Sequence, residues 1–209
     1  KRERYLALGI KSEDVEVFLR KHNLEVFLEE SIKELGNDKD SIKKLVNYIC
    51  SDLLGLITRE IEDHKNGEGQ FSASQYAHLA FLTREPVFDE MPSEEMESNL
   101  TPVNFAKLIK LNIENKINSR ATKDLIVDLI RVGGNPEEIA KEKGLLQESN
   151  TDAIKEIVQS VINANEKVVA DYKAGNENSL KFLMGQVMRE SKGSANPQIA
   201  QQILTDLLK

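Results

Sequence analysis

Residues 179–189 have the sequence SLKFLMGQVMR, and this stretch decides the fold class. Its apolar side chains recur at the spacing of one face of an α-helix: they are Leu180, Leu183, Met184, Val187 and Met188. The same spacing recurs upstream, in Ile154, Ile157, Val158, Val161 and Ile162. No stretch of the chain alternates apolar and polar residues as a half-buried strand does. The sequence therefore predicts an all-α fold.

Capping residues that precede proline mark several predicted helix starts. Thr101-Pro102, Asn135-Pro136 and Asn196-Pro197 each place a side-chain oxygen before a proline suited to the first helical position. Gly133-Gly134 and Gly175 are predicted helix ends, because glycine accepts the left-handed backbone that follows a helix.

Composition divides the chain into three parts. Residues 1–63 have apolar residues at helical spacing and predict a first helical domain. Residues 64–100 predict an exposed acidic linker or insertion, because 60–97 contain 10 Asp and Glu residues against only Lys65 and Arg84. Residues 101–209 predict a second helical domain.

The net charge of −7 at first argues against a nucleic-acid partner. Residues 1–100 contain 13 Lys/Arg and 21 Asp/Glu, a balance of −8, whereas residues 101–209 contain 15 and 14, a balance of +1. The C-terminal half can therefore carry a local basic face. No apolar run approaches the roughly 20 residues of a membrane span, so no membrane is expected.

Signatures of an enzyme are missing from the sequence. His22, His64 and His78 each lack a second histidine at helical spacing, and no glycine-rich loop has the pattern of a nucleotide site. Cys50, the one cysteine, is predicted to be a small buried apolar group. We therefore expect neither a catalytic nor a metal centre. Because the chain starts at Lys1 without a signal peptide, we expect a piece of a longer intracellular protein.

Four residues on the helix around 177–191 form what we call the basic stripe. At 100° per residue, Lys181, Gly185, Arg189 and Lys192 fall within about 80° of one another, away from the apolar face. One interpretation is a strip that contacts phosphates, with small residues and open backbone N–H groups in the following loop at 192–196. The other is a solvated basic face on which Gly185 serves helix packing.

A second candidate opens another predicted helix at Ser119. Arg120 and Lys123 lie near the positive end of that helix dipole, which suits an anion. Equally, Ser119 is only an N-cap and the two cations are ordinary surface charges.

Several motifs resemble a known family. They are Gly-Gln-Val-Met at 185–188, Lys-Gly-Ser-Ala-Asn-Pro at 192–197, Asn-Pro-Glu-Glu-Ile at 135–139 and Lys-Arg-Glu-Arg-Tyr at 1–5. On these residues the chain resembles the GatB/YqeY family, which comprises the B subunit of glutamyl-/aspartyl-tRNA amidotransferase and small YqeY-like proteins. Nearly the whole chain takes part, which favours the B subunit. Residues 64–99 match nothing in that pattern, and Asn118-Ser119-Arg120 replaces its usual Ser-Gly-Lys.

The resemblance implies a helical middle domain at 1–63, an acidic insertion at 64–100 and a YqeY-like tail at 101–209. The full subunit would belong to a cytoplasmic or organellar enzyme that converts mischarged Glu-tRNA(Gln) and Asp-tRNA(Asn) to Gln-tRNA(Gln) and Asn-tRNA(Asn). ATP and Mg²⁺ would act in a cradle domain absent from this chain, which itself carries no cofactor. The implied partners are tRNA(Gln) or tRNA(Asn), an amidase A subunit and a small C subunit, without DNA.

The resemblance and the basic stripe together predict a tRNA-binding set. Phosphate contacts are assigned to Arg120, Lys123, Lys181, Arg189 and Lys192. Gly185 and Gly193 would permit close approach, and Gln186 and Tyr172 would contact sugars or bases. The alternative is a non-catalytic protein-interaction module without specific RNA binding.

Overall fold

The computed structural model describes residues 1–83, 99–147 and 151–208. These residues form helices and turns, and none of them belongs to a β-sheet, which confirms the all-α prediction. Most of the predicted acidic linker, at 84–98, lies outside the described residues. Within the described ranges, each helix is too short or too polar to cross a bilayer.

The described residues contain a series of helices along the chain. They are α1 (Arg2–Ala7), α2 (Ser12–Arg20), α3 (His22–Leu35), α4 (Lys39–Asn47), a π-helical segment (Tyr48–Leu53), α5 (Leu54–Lys65), α6 (Ala73–Thr83), α7 (Pro102–Ile113), α8 (Ser119–Val132), α9 (Pro136–Glu142), α10 (Thr151–Ala164), α11 (Glu166–Lys173), α12 (Glu177–Glu190) and α13 (Pro197–Leu208). The α4, π-helical and α5 segments are continuous, so together they form one long helix with a π-helical turn at its middle.

The predicted caps before proline are confirmed. The Thr101 hydroxyl accepts from the Asn104 N–H at 3.1 Å, and the Asn104 side chain accepts from the Thr101 N–H at 2.8 Å, a reciprocal capping box. The Asn135 and Asn196 side chains accept backbone N–H groups two residues further on, at 3.1 and 3.0 Å. These bonds satisfy donors that the first turn of a helix leaves unpaired.

The chain packs into two units. Unit 1 comprises Lys1–Glu114 and Ser119–Lys143, and unit 2 comprises Asn115–Asn118 and Gly144–Lys209. This division differs from the boundary predicted at 64–100. The physical reason is that α6 packs on α3 and α5, and α7 packs on α3 and α4, so helices on both sides of the acidic segment share one core. Composition marks a polar segment but does not show which helices pack together.

The core of unit 1 centres on α3 and α7. Phe27 on α3 meets Phe105 on α7 edge to face, with ring centroids 5.5 Å apart, and both side chains are buried. Tyr48, in the π-helical segment, is also buried.

The core of unit 2 is built by α10, α12 and α13, with α11 packed on α12. Its buried members are Ile154, Val158, Val161, Leu183, Val187, Ala195, Ala200, Leu204 and Leu208. The segment Asn115–Asn118 joins this unit, since the Asn196 amide donates to the Asn115 carbonyl at 3.2 Å. This packing fixes which face of α12 points inward.

Candidate nucleic-acid interface

Helix α12 lies with its apolar face on the core of unit 2. The side chain of Asn176 caps its start by accepting from the Asn178 N–H at 3.1 Å. Leu183 and Val187 are fully buried, and Leu180, Met184 and Met188 pack against the same core. The predicted inward face is therefore confirmed, and the opposite face is left for other contacts.

The three cations of the basic stripe are exposed and, among the described residues, unpaired. Lys181, Arg189 and Lys192 lie at the surface. Within the described part of the chain, no carboxylate forms an ion pair with any of them. Glu190 is next to Arg189 in sequence, but it accepts from the Ser160 hydroxyl on α10 at 2.8 Å. Their positive charge is thus available to an anion from outside the chain.

Gly185 is open on the surface of α12. No described heavy atom outside its own helix turn comes within 4 Å of the position that a Cβ would occupy. The helix-packing interpretation therefore has no support among the described residues. Glycine at such a position costs about 1 kcal/mol of helix stability relative to alanine. Gly55 on α5 is equally open, so it is the surrounding cations that distinguish Gly185.

The turn that follows α12 corrects one prediction. Lys192 and Gly193 both have positive φ, at 54° and 78°. The Gly193 N–H donates to the Met188 carbonyl at 2.7 Å and the Lys192 N–H to the Arg189 carbonyl at 3.0 Å, a Schellman motif. The Ser194 N–H donates to the Ser191 carbonyl at 2.9 Å. The N–H groups of residues 192–194 are therefore not open as expected, because the end of the helix uses them.

Lys192 occupies a position where glycine is usual. Residues other than glycine seldom adopt positive φ, because their Cβ crowds the backbone. Lys192 lies beyond the C-cap Ser191 and its positive φ ends the helix, so the 100° spacing that predicted its side of α12 does not apply to it. Gly193 is open to solvent on the side where a Cβ would lie.

The Tyr172 and Gln186 side chains are only partly exposed to solvent. Tyr172, on α11, is half-buried and packs against the core of unit 2. Gln186 is half-buried next to Gly185 on α12. Their predicted contacts with sugars or bases stay predictions, and packing accounts for part of the Tyr172 ring.

Arg120 and Lys123 belong to unit 1, so the predicted set is divided between the two units. Arg120 is exposed on the first turn of α8. Lys123 forms an ion pair with Asp52 at 2.8 Å. The hydrogen bond to this carboxylate raises the pKa of Lys123 above its ordinary value. Its charge is already matched within the chain, unlike the charges of the basic stripe.

Phe182 is a surface residue of α12 that the sequence analysis did not single out. Its side chain is 47% exposed, and it is the one aromatic among the large hydrophobic residues that the structure describes as exposed. Helical spacing predicts this position, because residue 182 falls about 160° from the centre of the apolar face.

The side chains with catalytic potential are Cys50, His64 and His78, and each is engaged by burial or stacking within the chain. Burial, with the Asp14 carboxylate as hydrogen-bond acceptor, raises the pKa of the Cys50 thiol to about 12, which suppresses the reactive thiolate. The His64 ring stacks on Tyr76 with centroids 4.0 Å apart. Burial lowers the pKa of His78. Across the described ranges, no three His, Cys, Asp or Glu side chains form a group that would hold a metal ion.

Comparison with known proteins gives a consistent result. A family model described as a GatB domain matches residues 26–208. The chain is also similar to proteins named as the B subunit of aspartyl/glutamyl-tRNA(Asn/Gln) amidotransferase. The one from Shouchella clausii is 31% identical over 207 residues, 99% of this chain and 36% of that protein. The one from Thermotoga maritima is 32% identical over 210 residues, 100% and 36% respectively.

A shorter match has a higher sequence identity. The protein of the same name from Geobacillus thermodenitrificans is 44% identical over 107 residues, 51% of this chain and 22% of that protein. This chain spans about a third of the length of the first two relatives. The family match includes residues of both units and the whole basic stripe, which confirms the resemblance seen in the motifs. The chain belongs to the GatB domain family.

Proposed function

We propose that this chain is a tRNA-binding region of the B subunit of a cytoplasmic, glutamine-dependent amidotransferase. In this role the basic stripe on α12 holds phosphate groups of the tRNA backbone. The observation that carries the proposal is the coincidence of three exposed cations, unpaired among the described residues, with the open backbone at Gly185. The names of the relatives, which are B subunits of tRNA amidotransferases, support the same partner.

The physics of RNA binding explains why unpaired cations matter. A lysine or arginine that replaces condensed counterions on a phosphate releases them into solution, which drives binding and makes it depend on salt. A cation that already has a carboxylate partner must lose that partner first. Lys181, Arg189 and Lys192 have no such partner in the described structure. Gly185 adds room for a sugar-phosphate backbone between the first two of them.

The chemistry of amide formation belongs elsewhere in the proposed subunit. Among the described residues no three His, Cys, Asp or Glu side chains form a group that could hold a metal ion, and we assign no step with ATP or Mg²⁺ to them. We propose that a longer B subunit, with an amidase A subunit and a small C subunit, converts Glu-tRNA(Gln) or Asp-tRNA(Asn), while this region positions the tRNA.

Filter binding of unacylated tRNA over a range of salt concentrations tests the proposal. The variant Lys181→Gln with Arg189→Gln is expected to weaken binding at least tenfold. It should also reduce the slope of log K against log salt by about one to two units, because two phosphate contacts are lost. Unchanged affinity together with an unchanged slope would refute the phosphate contacts.

A matched control separates position from charge. Lys155→Gln with Lys167→Gln removes the same charge from exposed positions on α10 and α11 of unit 2. We expect this control to retain the slope of the wild type. Equal losses of tRNA affinity in both double variants would indicate general electrostatic attraction rather than phosphate contacts at the basic stripe. Salt-independent binding to another protein, without tRNA binding at low salt, would support the protein-interaction alternative.

A further inference from the structure

The exposed ring of Phe182 has no role in the core that explains its position. Burial of a phenylalanine side chain stabilises a fold by about 1.5–3 kcal/mol, yet this ring is 47% exposed while its neighbour Leu183 is fully buried. The core of unit 2 therefore does not require an aromatic residue at position 182. A single exposed hydrophobic residue is ordinary at a protein surface, so its surroundings decide whether it has a role.

The surroundings of Phe182 are those of an RNA contact. Along α12 the ring follows Lys181 directly, and Arg189 lies seven residues on, almost in line with it and about 10 Å further along the axis. Gly185, three residues on, leaves open space beside the ring, because no described atom fills the position of a Cβ. An apolar plane thus lies near two cations that have no ion-pair partner among the described residues, Arg189 almost in line with it and Lys181 about 100° round the helix, next to a surface that another backbone can approach.

We propose that Phe182 is a stacking platform for one unpaired nucleobase of the bound RNA. The face of the base rests on the ring, while Lys181 and Arg189 hold the phosphates on either side. Stacking on an aromatic side chain suits any base, because every base has a π-face, and it requires a base that is not paired in a helix. A protein partner would instead need an apolar or acidic patch, and two exposed cations beside a single ring fit a polyanion better.

This inference rests on the proposed function, since it names the part of the tRNA that α12 contacts. Its test is the affinity of the full chain for two probes: unacylated tRNA, which has unpaired loop bases, and a blunt RNA duplex of similar length, which has none. Phe182→Leu keeps an apolar side chain of similar size and removes the ring. Phe182→Trp keeps a ring. Because about half of the side chain is exposed and both replacements are large and apolar, both variants should melt close to the temperature of the wild type.

Phe182→Leu is expected to weaken tRNA binding about tenfold with an unchanged salt slope, and to leave duplex binding within about twofold. Phe182→Trp should bind tRNA as tightly as the wild type. Three results would overturn the platform: full affinity in Phe182→Leu, an equal loss on tRNA and duplex, or equal losses in the Leu and Trp variants. If the wild type itself fails to bind tRNA, the proposed function fails and the platform with it.

Discussion

The two units differ in the ion pairs that their cations form. By sequence, unit 1 holds 20 Lys/Arg against 27 Asp/Glu and accounts for the net charge of −7, whereas unit 2 holds eight of each. In unit 1, several cations form ion pairs with carboxylates: Arg4 pairs with Glu29 at 2.9 Å, and Lys143 with Asp128 at 2.6 Å. In unit 2, the basic stripe lacks any such partner within the described residues. Pairing within the chain, rather than net charge, therefore separates a structural cation from one available to a ligand.

The largest expected effect tests which face of α12 packs on the core of unit 2. Leu183→Ala should lower the free energy of unfolding by about 2–5 kcal/mol, because it removes a fully buried side chain and leaves a cavity. Phe182→Ala, at the next position, should lower it by only about 1–1.5 kcal/mol, because about half of that side chain is already exposed. Urea unfolding measures both. A smaller loss for Leu183→Ala than for Phe182→Ala would mean that α12 is rotated from the orientation described.

A smaller effect tests the ion pairs that form between cations and carboxylates within unit 1. The Glu29 carboxylate accepts from the Tyr5 hydroxyl at 2.6 Å and from both terminal nitrogens of Arg4 at 2.9 Å. Burial opposes ionisation of Glu29, but these hydrogen bonds outweigh it and hold its pKa below the ordinary value of 4.5. Glu29→Gln should therefore cost about 2 kcal/mol of stability at pH 7.

The pH dependence of that loss has a definite sign. A carboxyl group whose folded-state pKa is depressed stabilises the protein above its unfolded pKa, and this contribution disappears as pH falls through the folded value. The difference in urea midpoint between wild type and Glu29→Gln should thus shrink as the pH is lowered from about 7 to below about 4. A difference that stays constant over this range would show that the carboxylate pairs contribute nothing.

The smallest effect compares one cation from each unit. Lys192→Gln should weaken tRNA binding about fivefold, because an unpaired cation loses a phosphate. Lys123→Gln should weaken it less than about twofold, since Asp52 already pairs with this ammonium. Fluorescence anisotropy with labelled unacylated tRNA measures both. If the Lys123 variant loses more affinity, the contrast between paired and free cations is wrong.

Much of the fold could be predicted because its signals are local. The caps at Thr101, Asn135 and Asn196, and the apolar face of α12, depend on residues within one or two helical turns. The division into units could not be predicted, because it depends on the packing of α7 against α3, helices that lie far apart in sequence on either side of the acidic segment.

The candidate site shows the same limit. The basic stripe could be predicted from helical spacing, but its lack of ion-pair partners among the described residues depends on where the carboxylates of other helices lie. The pairing of Lys123 with Asp52, 71 positions earlier in the sequence, could not be predicted for that reason. The N–H groups at Lys192 and Gly193 were expected to be open, because the sequence does not show that a Schellman motif uses them. Phe182 could have been found by helical spacing, but a pattern of charges alone does not single out an exposed ring.

The most direct test of the account is the substitution Gly185→Ala, measured for both stability and tRNA affinity. Alanine should raise the free energy of unfolding by about 1 kcal/mol, because it favours the helix and its Cβ meets no described atom. The same Cβ should lower the affinity for unacylated tRNA several-fold if a backbone approaches closely there. Gly55→Ala, at an equally open glycine on α5 in unit 1, should gain similar stability without losing affinity. A Gly185→Ala variant that is more stable and binds tRNA as tightly as the wild type would contradict the central claim.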